Sequence, residues 1–248
     1  MQESKMFPVL SVSRGGDKFN KKEATIVTVR QCAVSSCGTA TAGHSTLCER
    51  HKRTQRRHGH PEQLGITVHD LKPYRKRVAA RQAKNPTNPA WPLLQQRWQV
   101  LVDSSAETVA TFQRGAVSIG YVVKAAEQVQ RIATAVPAGV VIETTLAMYL
   151  MREERPARFQ TDRAFSFELA RRVRGLTDSN AGTYWDAKSG KAKRVYKDLT
   201  PKAMEYLAAQ LAATFGGAGV FIAGLERSEA DKARADQQAL SKALGELQ

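Results

Sequence analysis

The feature that most constrains this chain is a cluster of cysteines in its N-terminal part. All three cysteines of the sequence, Cys32, Cys37 and Cys48, fall within 17 residues, and His51 follows Cys48 by three positions. The pattern Cys-x4-Cys-x10-Cys-x2-His is the Cys3His ligand set that suits tetrahedral zinc. Cys48 and His51 would both face one ion from the first turn of a helix. We therefore predict a Zn2+ site formed by these four residues.

Other interpretations of the cluster remain open at this stage. The thiols could be buried or redox-active cysteines, or the site could hold another metal. A disulfide framework fits poorly because the cysteine count is odd, the chain is long and no signal peptide is visible. His44 also lies between Cys37 and Cys48 and is an alternative to His51 as the fourth ligand.

A longer motif continues from the cluster. The run Leu47-Cys48-x-x-His51, followed by Arg56-Arg57-His58-Gly59-x-Pro61, resembles the small zinc-binding module of phage and mobile-element proteins, HNH-type homing endonucleases among them. The match covers about residues 32–61, and the chain departs from the family pattern at four positions: Lys52, Thr54, Gln55 and His60. The resemblance implies a zinc module that works near nucleic acid.

The resemblance does not extend to the nuclease centre of that family. The centre requires paired histidines with an intervening asparagine, whereas His69 is the last histidine of this chain. No glycine-rich dinucleotide loop or phosphate-binding loop is present either. We lean towards a protein that is not an enzyme, although a carboxylate site built from residues such as Glu143, Glu153 and Glu154 would not be visible from spacing alone.

Charge indicates the class of partner. The 248 residues carry a net charge of +15 with an isoelectric point near 10.0, and a hydrophobic content of 42% provides for a real core. Such a field attracts polyanions: DNA, RNA or an anionic membrane surface. No apolar run reaches the roughly 18–20 residues of a membrane span. We expect a nucleic-acid partner, DNA rather than RNA, no membrane, and a nucleoid-associated protein in the reducing cytoplasm.

The positive charge is concentrated just after the cysteines. Residues 50–84 contain eleven basic residues against two acidic ones, a net charge of +9. A solvated helix usually mixes signs, so this stretch favours phosphate contact over a bland surface, an acidic protein or lipid. The residues predicted to bind nucleic acid here are Arg50, Lys52, Arg53, Arg56, Arg57, Arg75, Lys76 and Arg77.

A second basic segment lies at residues 183–196. Aromatic and β-branched residues flank a Ser189-Gly190 turn, which predicts a β-hairpin with a basic tip. The residues predicted to contact nucleic acid on it are Lys188, Lys191, Lys193 and Arg194.

Together these patterns predict a mainly α protein in which a small zinc-binding β/α module precedes a helical domain with one β-hairpin. The predicted divisions are a zinc-binding basic module (1–84), a proline-rich linker (85–92) and the helical domain (93–248). Strands are expected at 7–10 and 24–29, a helix N-cap at Asp70 and a helix break at Gly216-Gly217. The helical domain would dimerise or recruit a protein partner.

The function that these predictions favour is a zinc-stabilised DNA-binding regulator or accessory factor of a phage or bacterial mobile element. The alternatives are a nuclease or recombination accessory enzyme with an unrecognised carboxylate site, and an RNA-binding protein. Basic charge alone does not distinguish DNA from RNA.

Overall fold

The computed structural model describes residues 30–245; for residues 180, 194, 196 and 245 it describes the backbone only. The described chain is mainly helical, and the elements in chain order are α1 (Glu49–His58), α2 (Val68–Lys84), α3 (Ala90–Gln113), α4 (Gly120–Ala135), α5 (Ala138–Glu154), α6 (Asp162–Arg174), β1 (Ala181–Asp186), β2 (Lys191–Tyr196) and α7 (Pro201–Gly245). The predicted fold class, mainly α with one β-hairpin, is confirmed. The strands predicted at 7–10 and 24–29 lie outside the described residues.

The chain divides between Lys52 and Arg53 into two units. The predicted boundary at 85–92 therefore falls inside the second unit. The reason is that α2 buries Leu71 and Val78 in the same hydrophobic core as the helices that follow it. The connection between α2 and α3 is also short and fixed, because Trp91 Nε1 donates a hydrogen bond to the Asn85 carbonyl at 3.0 Å.

The first unit is small and has its own apolar centre. Cys32, Val34 and Cys48 are buried together, and Cys37 and Leu47 pack against them. An isolated antiparallel bridge joins Gln31 to Ala40 and closes the loop that carries Cys32 and Cys37. Since residues 30–52 bury little apolar area, a bound metal would supply much of the stabilisation that a larger core provides elsewhere.

The second unit is built around α5. Its residues from Val141 to Met151 are almost all buried, and Leu146, Ala147 and Met148 are fully inaccessible. Helices α2, α3, α6 and α7 all pack against this helix. The core is continuous and includes aromatic contacts such as Trp98 with Phe215, whose ring centroids are 6.2 Å apart.

Helix α7 is continuous through Gly216 and Gly217, so the predicted break there is wrong. Gly216 and Gly219 permit close packing of the helix instead of ending it. A Cβ atom at Gly216 would lie 2.9 Å from the Tyr149 hydroxyl, and one at Gly219 would overlap the Tyr149 ring. Tertiary packing against α5 offsets the low helix propensity of glycine.

Because α7 is unbroken, it contains an 18-residue window with a mean hydropathy of 1.5. By length and composition this helix is apolar enough to cross a membrane, which corrects the expectation that no run is long enough. Helices α4 and α5, which are separated by a short break with a sharp bend, are also long and apolar enough when taken together. In the fold, 44% of the α7 window is buried, as in the core helix of a globular domain, so this is weak evidence for a span.

Helix α2 begins with a capping box. Its N-cap lies three residues before Asp70, the residue predicted to be the cap. The N-cap is Thr67, whose side chain accepts from the Asp70 amide, and the Asp70 carboxylate accepts from the Thr67 amide at 2.8 Å. Asp70 is thus the third residue of the box rather than the cap. The amide of Thr67 donates the main hydrogen bond that lowers the pKa of Asp70, with smaller contributions from the Thr67 hydroxyl and from Arg158.

Candidate metal centre and basic surfaces

The structure brings the four predicted metal ligands together. One potential ligand atom from each of Cys32, Cys37, Cys48 and His51 lies within 4.8 Å of all the others. Cys32 and Cys37 flank a turn, Cys48 directly precedes α1, and His51 lies in the first turn of that helix. His44 is exposed and is not part of the group, so the ligand set is the one that includes His51.

The distances fit a tetrahedral ion. Metal–sulfur bonds of about 2.3 Å and a metal–nitrogen bond of about 2.05 Å place sulfur atoms about 3.8 Å apart and sulfur about 3.6 Å from nitrogen. The Cys37 and Cys48 sulfur atoms are 3.8 Å apart. His51 Nδ1 lies 3.3 Å from Cys32 Sγ and 3.4 Å from Cys48 Sγ. The four residues can therefore hold one metal ion without rearranging the backbone.

Hydrogen bonds around the cluster stabilise thiolate charge. The Cys48 amide lies 3.4 Å from Cys32 Sγ, in position to donate to it. Burial opposes ionisation of Cys32, but the amides of Cys48 and Val34 and the side chains of His51 and Cys48 lower its pKa to about 6. For Cys48, the hydrogen bond from the His51 amide favours the thiolate, but burial and the neighbouring thiols outweigh it and raise the pKa. The surrounding hydrogen bonds thus favour the thiolate of Cys32, and a bound metal ion would favour the thiolate form of all three cysteines.

Helix α1 carries the basic residues closest in sequence to these ligands. Arg53 and Arg56 are exposed, and neither has an acidic partner among the described residues. Arg57 differs, because its Nε forms an ion pair with Asp198 at 2.9 Å, and Lys52 pairs with Glu49 at 2.9 Å. Among the described residues, Arg53 and Arg56 are thus the arginines of this helix with the fewest intramolecular constraints. Arg50 is exposed as well.

The basic residues of α2 are arranged differently from what charge counting predicts. Arg75 Nε donates to Glu143 at 2.7 Å, and Arg77 pairs with both Glu154 and Glu226. Arg81, one helical turn after Arg77, donates to Glu226 at 2.7 Å. The opposite charges come from α5 and α7, which lie far away in sequence. Of the predicted nucleic-acid ligands on α2, Lys76 alone is exposed without an ion pair among the described residues.

The predicted hairpin is present, with six residue pairs from Ala181 opposite Tyr196 to Asp186 opposite Lys191. Lys188, Lys191 and Lys193 are exposed, and Lys193 forms an ion pair with Asp186. The side chain of Arg194 lies outside what the structure describes. The role of these residues in nucleic-acid contact stays a prediction.

A group of buried polar contacts at the end of α1 was not predicted from the sequence. Helix α1 ends at His58 and is followed by Gly59, whose φ of +82° favours glycine and whose carbonyl accepts from Arg163 at 3.0 Å. His58 pairs with Glu168, which is completely buried in α6. His58 and Gly59 of the motif Arg-Arg-His-Gly-His-Pro therefore have a structural role in docking the end of α1. The signal that could have found it is Glu168 itself, a carboxylate on the apolar face of a helix.

Fold and site together define a mainly α-helical protein with a candidate Cys3His metal centre and a basic surface. No family model, curated protein or solved structure matches the chain.

Proposed function

We propose that this chain is a zinc-stabilised DNA-binding protein that serves a phage or bacterial mobile element as a regulator or accessory factor. The observation that carries the proposal is a pair of exposed arginines, Arg53 and Arg56, that have no acidic partner within residues 30–245 and lie on the helix whose first turn contains His51. A net charge of +15 supports a polyanionic partner.

Zinc is the metal that the ligand set favours. Three thiolates and one imidazole in a tetrahedral arrangement are typical of structural zinc sites, in which all four positions belong to the protein. The ion would hold together residues 32–51, where the described apolar cluster consists of a few side chains. It would also fix the start of α1.

The arginines of α1 would then contact the phosphate backbone. A guanidinium group offers a planar fork of donors that matches phosphate oxygens. Such contacts position a protein on a duplex without reading its sequence. The short resemblance to the zinc modules of mobile-element proteins supports the same biological setting.

The competing enzymatic function lacks a visible centre in residues 30–245. Within that range the cysteine–histidine cluster is the one group of three or more potential metal ligands. The carboxylates considered for catalysis form ion pairs: Glu143 with Arg75, Glu153 with Arg227 and Glu154 with Arg77.

The test is a salt titration of binding to duplex DNA. Each phosphate contact contributes roughly 0.9 to the slope of log K against log salt. We expect Arg53→Ala/Arg56→Ala to reduce that slope by about two units. Affinity should fall equally for specific and random duplexes, because phosphates carry no sequence information.

The matched control is Arg97→Ala/Lys124→Ala, which removes the same charge from exposed positions on α3 and α4. This variant should retain nearly the wild-type slope. If the two double variants behave alike, α1 is not the nucleic-acid surface. Stronger binding to duplex RNA than to duplex DNA would support the RNA alternative instead.

A further inference from the structure

The hairpin exposes two adjacent aromatic side chains that nothing above has explained. Trp185 is 67% exposed and Tyr184 is 50% exposed. Trp91 and Trp98, the other tryptophans, are 9% and 3% exposed. Large aromatic rings usually gain stability by burial, so two exposed neighbours on one strand indicate a binding surface.

Contacts at both ends of the hairpin fix its conformation, so the positions of Tyr184 and Trp185 are defined. Leu176 and Leu199, which precede and follow it, pack against the core of the second unit. The buried Arg174 donates from Nη2 to the Lys197 carbonyl at 2.8 Å. At the other end, Asp186 organises the turn by accepting from the Ser189 hydroxyl at 2.8 Å. The Lys193 ion pair is the main cause of the lowered pKa of Asp186.

The charge of the hairpin identifies the chemistry of its partner. Residues 181–197 contain five basic residues and one acidic residue, a net charge of +4. Successive strand residues point to opposite faces, so Tyr184 and Trp185 lie on different sides of the ribbon. Lys193 stands opposite Tyr184 and Ala192 opposite Trp185. Lys191, diagonal to Tyr184 across the two strands, lies on the Tyr184 side together with Lys193, so one ring and two cations share that face. An apolar protein partner would favour aliphatic neighbours around this ring instead.

Aromatic rings among cations are typical of sites for unpaired bases. In a duplex the base faces are stacked on one another and only their edges are accessible, so an aromatic side chain needs an open strand. Lysines alongside the rings would follow the phosphates of that strand. Lys188 in the turn and Lys191 at the start of β2 are both exposed and lie close in sequence to the rings.

We propose that the β1–β2 hairpin binds single-stranded nucleic acid, with Trp185 stacking on a base from one side of the ribbon, Tyr184 stacking on a base from the other side, and Lys188 and Lys191 contacting the backbone. The inference shares with the proposed function a nucleic-acid partner, but it uses a different surface and a different form of that partner. A protein with both surfaces would bind where duplex and open strand meet.

The experiment uses the full-length protein and the fluorescence of its tryptophans. Oligo(dT) should quench the emission, because Trp185 is the exposed tryptophan and stacking on a base quenches its fluorescence. Trp185→Ala should weaken oligo(dT) binding by roughly 5- to 150-fold. Trp185→Phe should retain most of the affinity without the quenching. Oligo(U) in a parallel titration distinguishes RNA from DNA as the source of the strand.

A matched control removes an exposed aromatic ring elsewhere. Phe221 on α7 is 66% exposed, so Phe221→Ala loses a similar ring from a different surface and should bind oligo(dT) like the wild type. Lys188→Ala/Lys191→Ala should reduce the salt slope on single strands by about 1.4 units. Tyr184→Ala tests the second ring independently of Trp185.

The outcomes separate this inference from the proposed function. Trp185→Ala should leave duplex binding unchanged, whereas Arg53→Ala/Arg56→Ala should weaken it. If duplex binding proves insensitive to the arginines while Trp185→Ala still weakens single-strand binding, the inference stands and the proposed function fails. The inference is overturned if wild-type protein does not bind oligo(dT), or if Trp185→Ala binds it with wild-type affinity.

Discussion

His58 Nδ1 lies 2.5 Å from Oε1 of Glu168, a carboxylate with no exposed surface. The second oxygen of Glu168 accepts from the Ile66 amide at 2.7 Å. One buried side chain thus holds both the end of α1 and the loop that leads to α2. The helix that carries Arg53 and Arg56 is anchored at its C-terminal end by this contact.

Removing the carboxylate should strongly destabilise the second unit. Glu168→Ala leaves His58 and the Ile66 amide without their buried partner, which typically costs about 3–5 kcal/mol. Urea unfolding followed by circular dichroism measures the change. Glu205→Ala is the control, since it breaks an ion pair with Arg163 that is nearly half exposed, and it should cost less than about 1 kcal/mol. Equal losses for the two variants would mean that the His58–Glu168 contact contributes little.

Metal binding should depend on Cys48 and be independent of His44. Wild-type protein purified anaerobically should contain one zinc ion per chain by elemental analysis. Cys48→Ser removes a ligand, so the metal should be lost and amide exchange in residues 30–52 should accelerate, because binding and local folding are coupled. His44→Ala should retain the metal, since His44 lies outside the cluster. Metal-free wild-type protein would refute the site.

The two glycines at 217 and 219 should respond oppositely to the same substitution. Gly219→Ala forces a methyl group into the Tyr149 ring, and such overpacking typically costs about 1–3 kcal/mol. Gly217 has nothing within 4 Å of its Cβ position, so Gly217→Ala should stabilise the helix by about 0.5–1 kcal/mol. Thermal unfolding of the two variants measures both effects. If Gly217→Ala is the more destabilising of the two, the proposed role of these glycines is wrong.

The Arg77–Glu226–Arg81 network should make stability sensitive to acid. Burial raises the pKa of Glu226, but hydrogen bonds from Arg81 and Arg77 outweigh it and lower the pKa below its ordinary value of 4.5. A lowered carboxyl pKa means that the stabilisation is fully present above the unfolded-state value and is lost as pH falls through the folded-state value. The free energy of unfolding of wild type should therefore exceed that of Glu226→Gln at neutral pH.

The two proteins should converge as the pH falls well below 4.5, once Glu226 is protonated in the folded state. Denaturant unfolding across this range measures the difference. Glu107→Gln, at an exposed position on α3, controls for the loss of one negative charge. A wild-type advantage over Glu226→Gln that does not change with pH would contradict the network's role.

Local patterns in the sequence determined much of this structure. The spacing of Cys48 and His51 fixes both ligands on one side of a helix start, and no distant residue is needed to bring them together. The hairpin follows from a Ser-Gly turn between β-forming segments, and Gly190 adopts the expected positive φ of +60°. The break between α3 and α4 is likewise local, because Gly115 adopts a φ of +89°.

Tertiary structure alone decided which charges are available. Charge counting treats all eleven basic residues of 50–84 alike. Arg77 and Glu226 are 149 positions apart in sequence, and the packing of both α2 and α7 against α5 brings them together. Periodicity predicts that a helix has a polar face, but it does not predict which residues of other helices will contact that face. The same limit explains Gly216 and Gly219, because a glycine that breaks an isolated helix becomes a close-packing site when a ring such as Tyr149 lies against it.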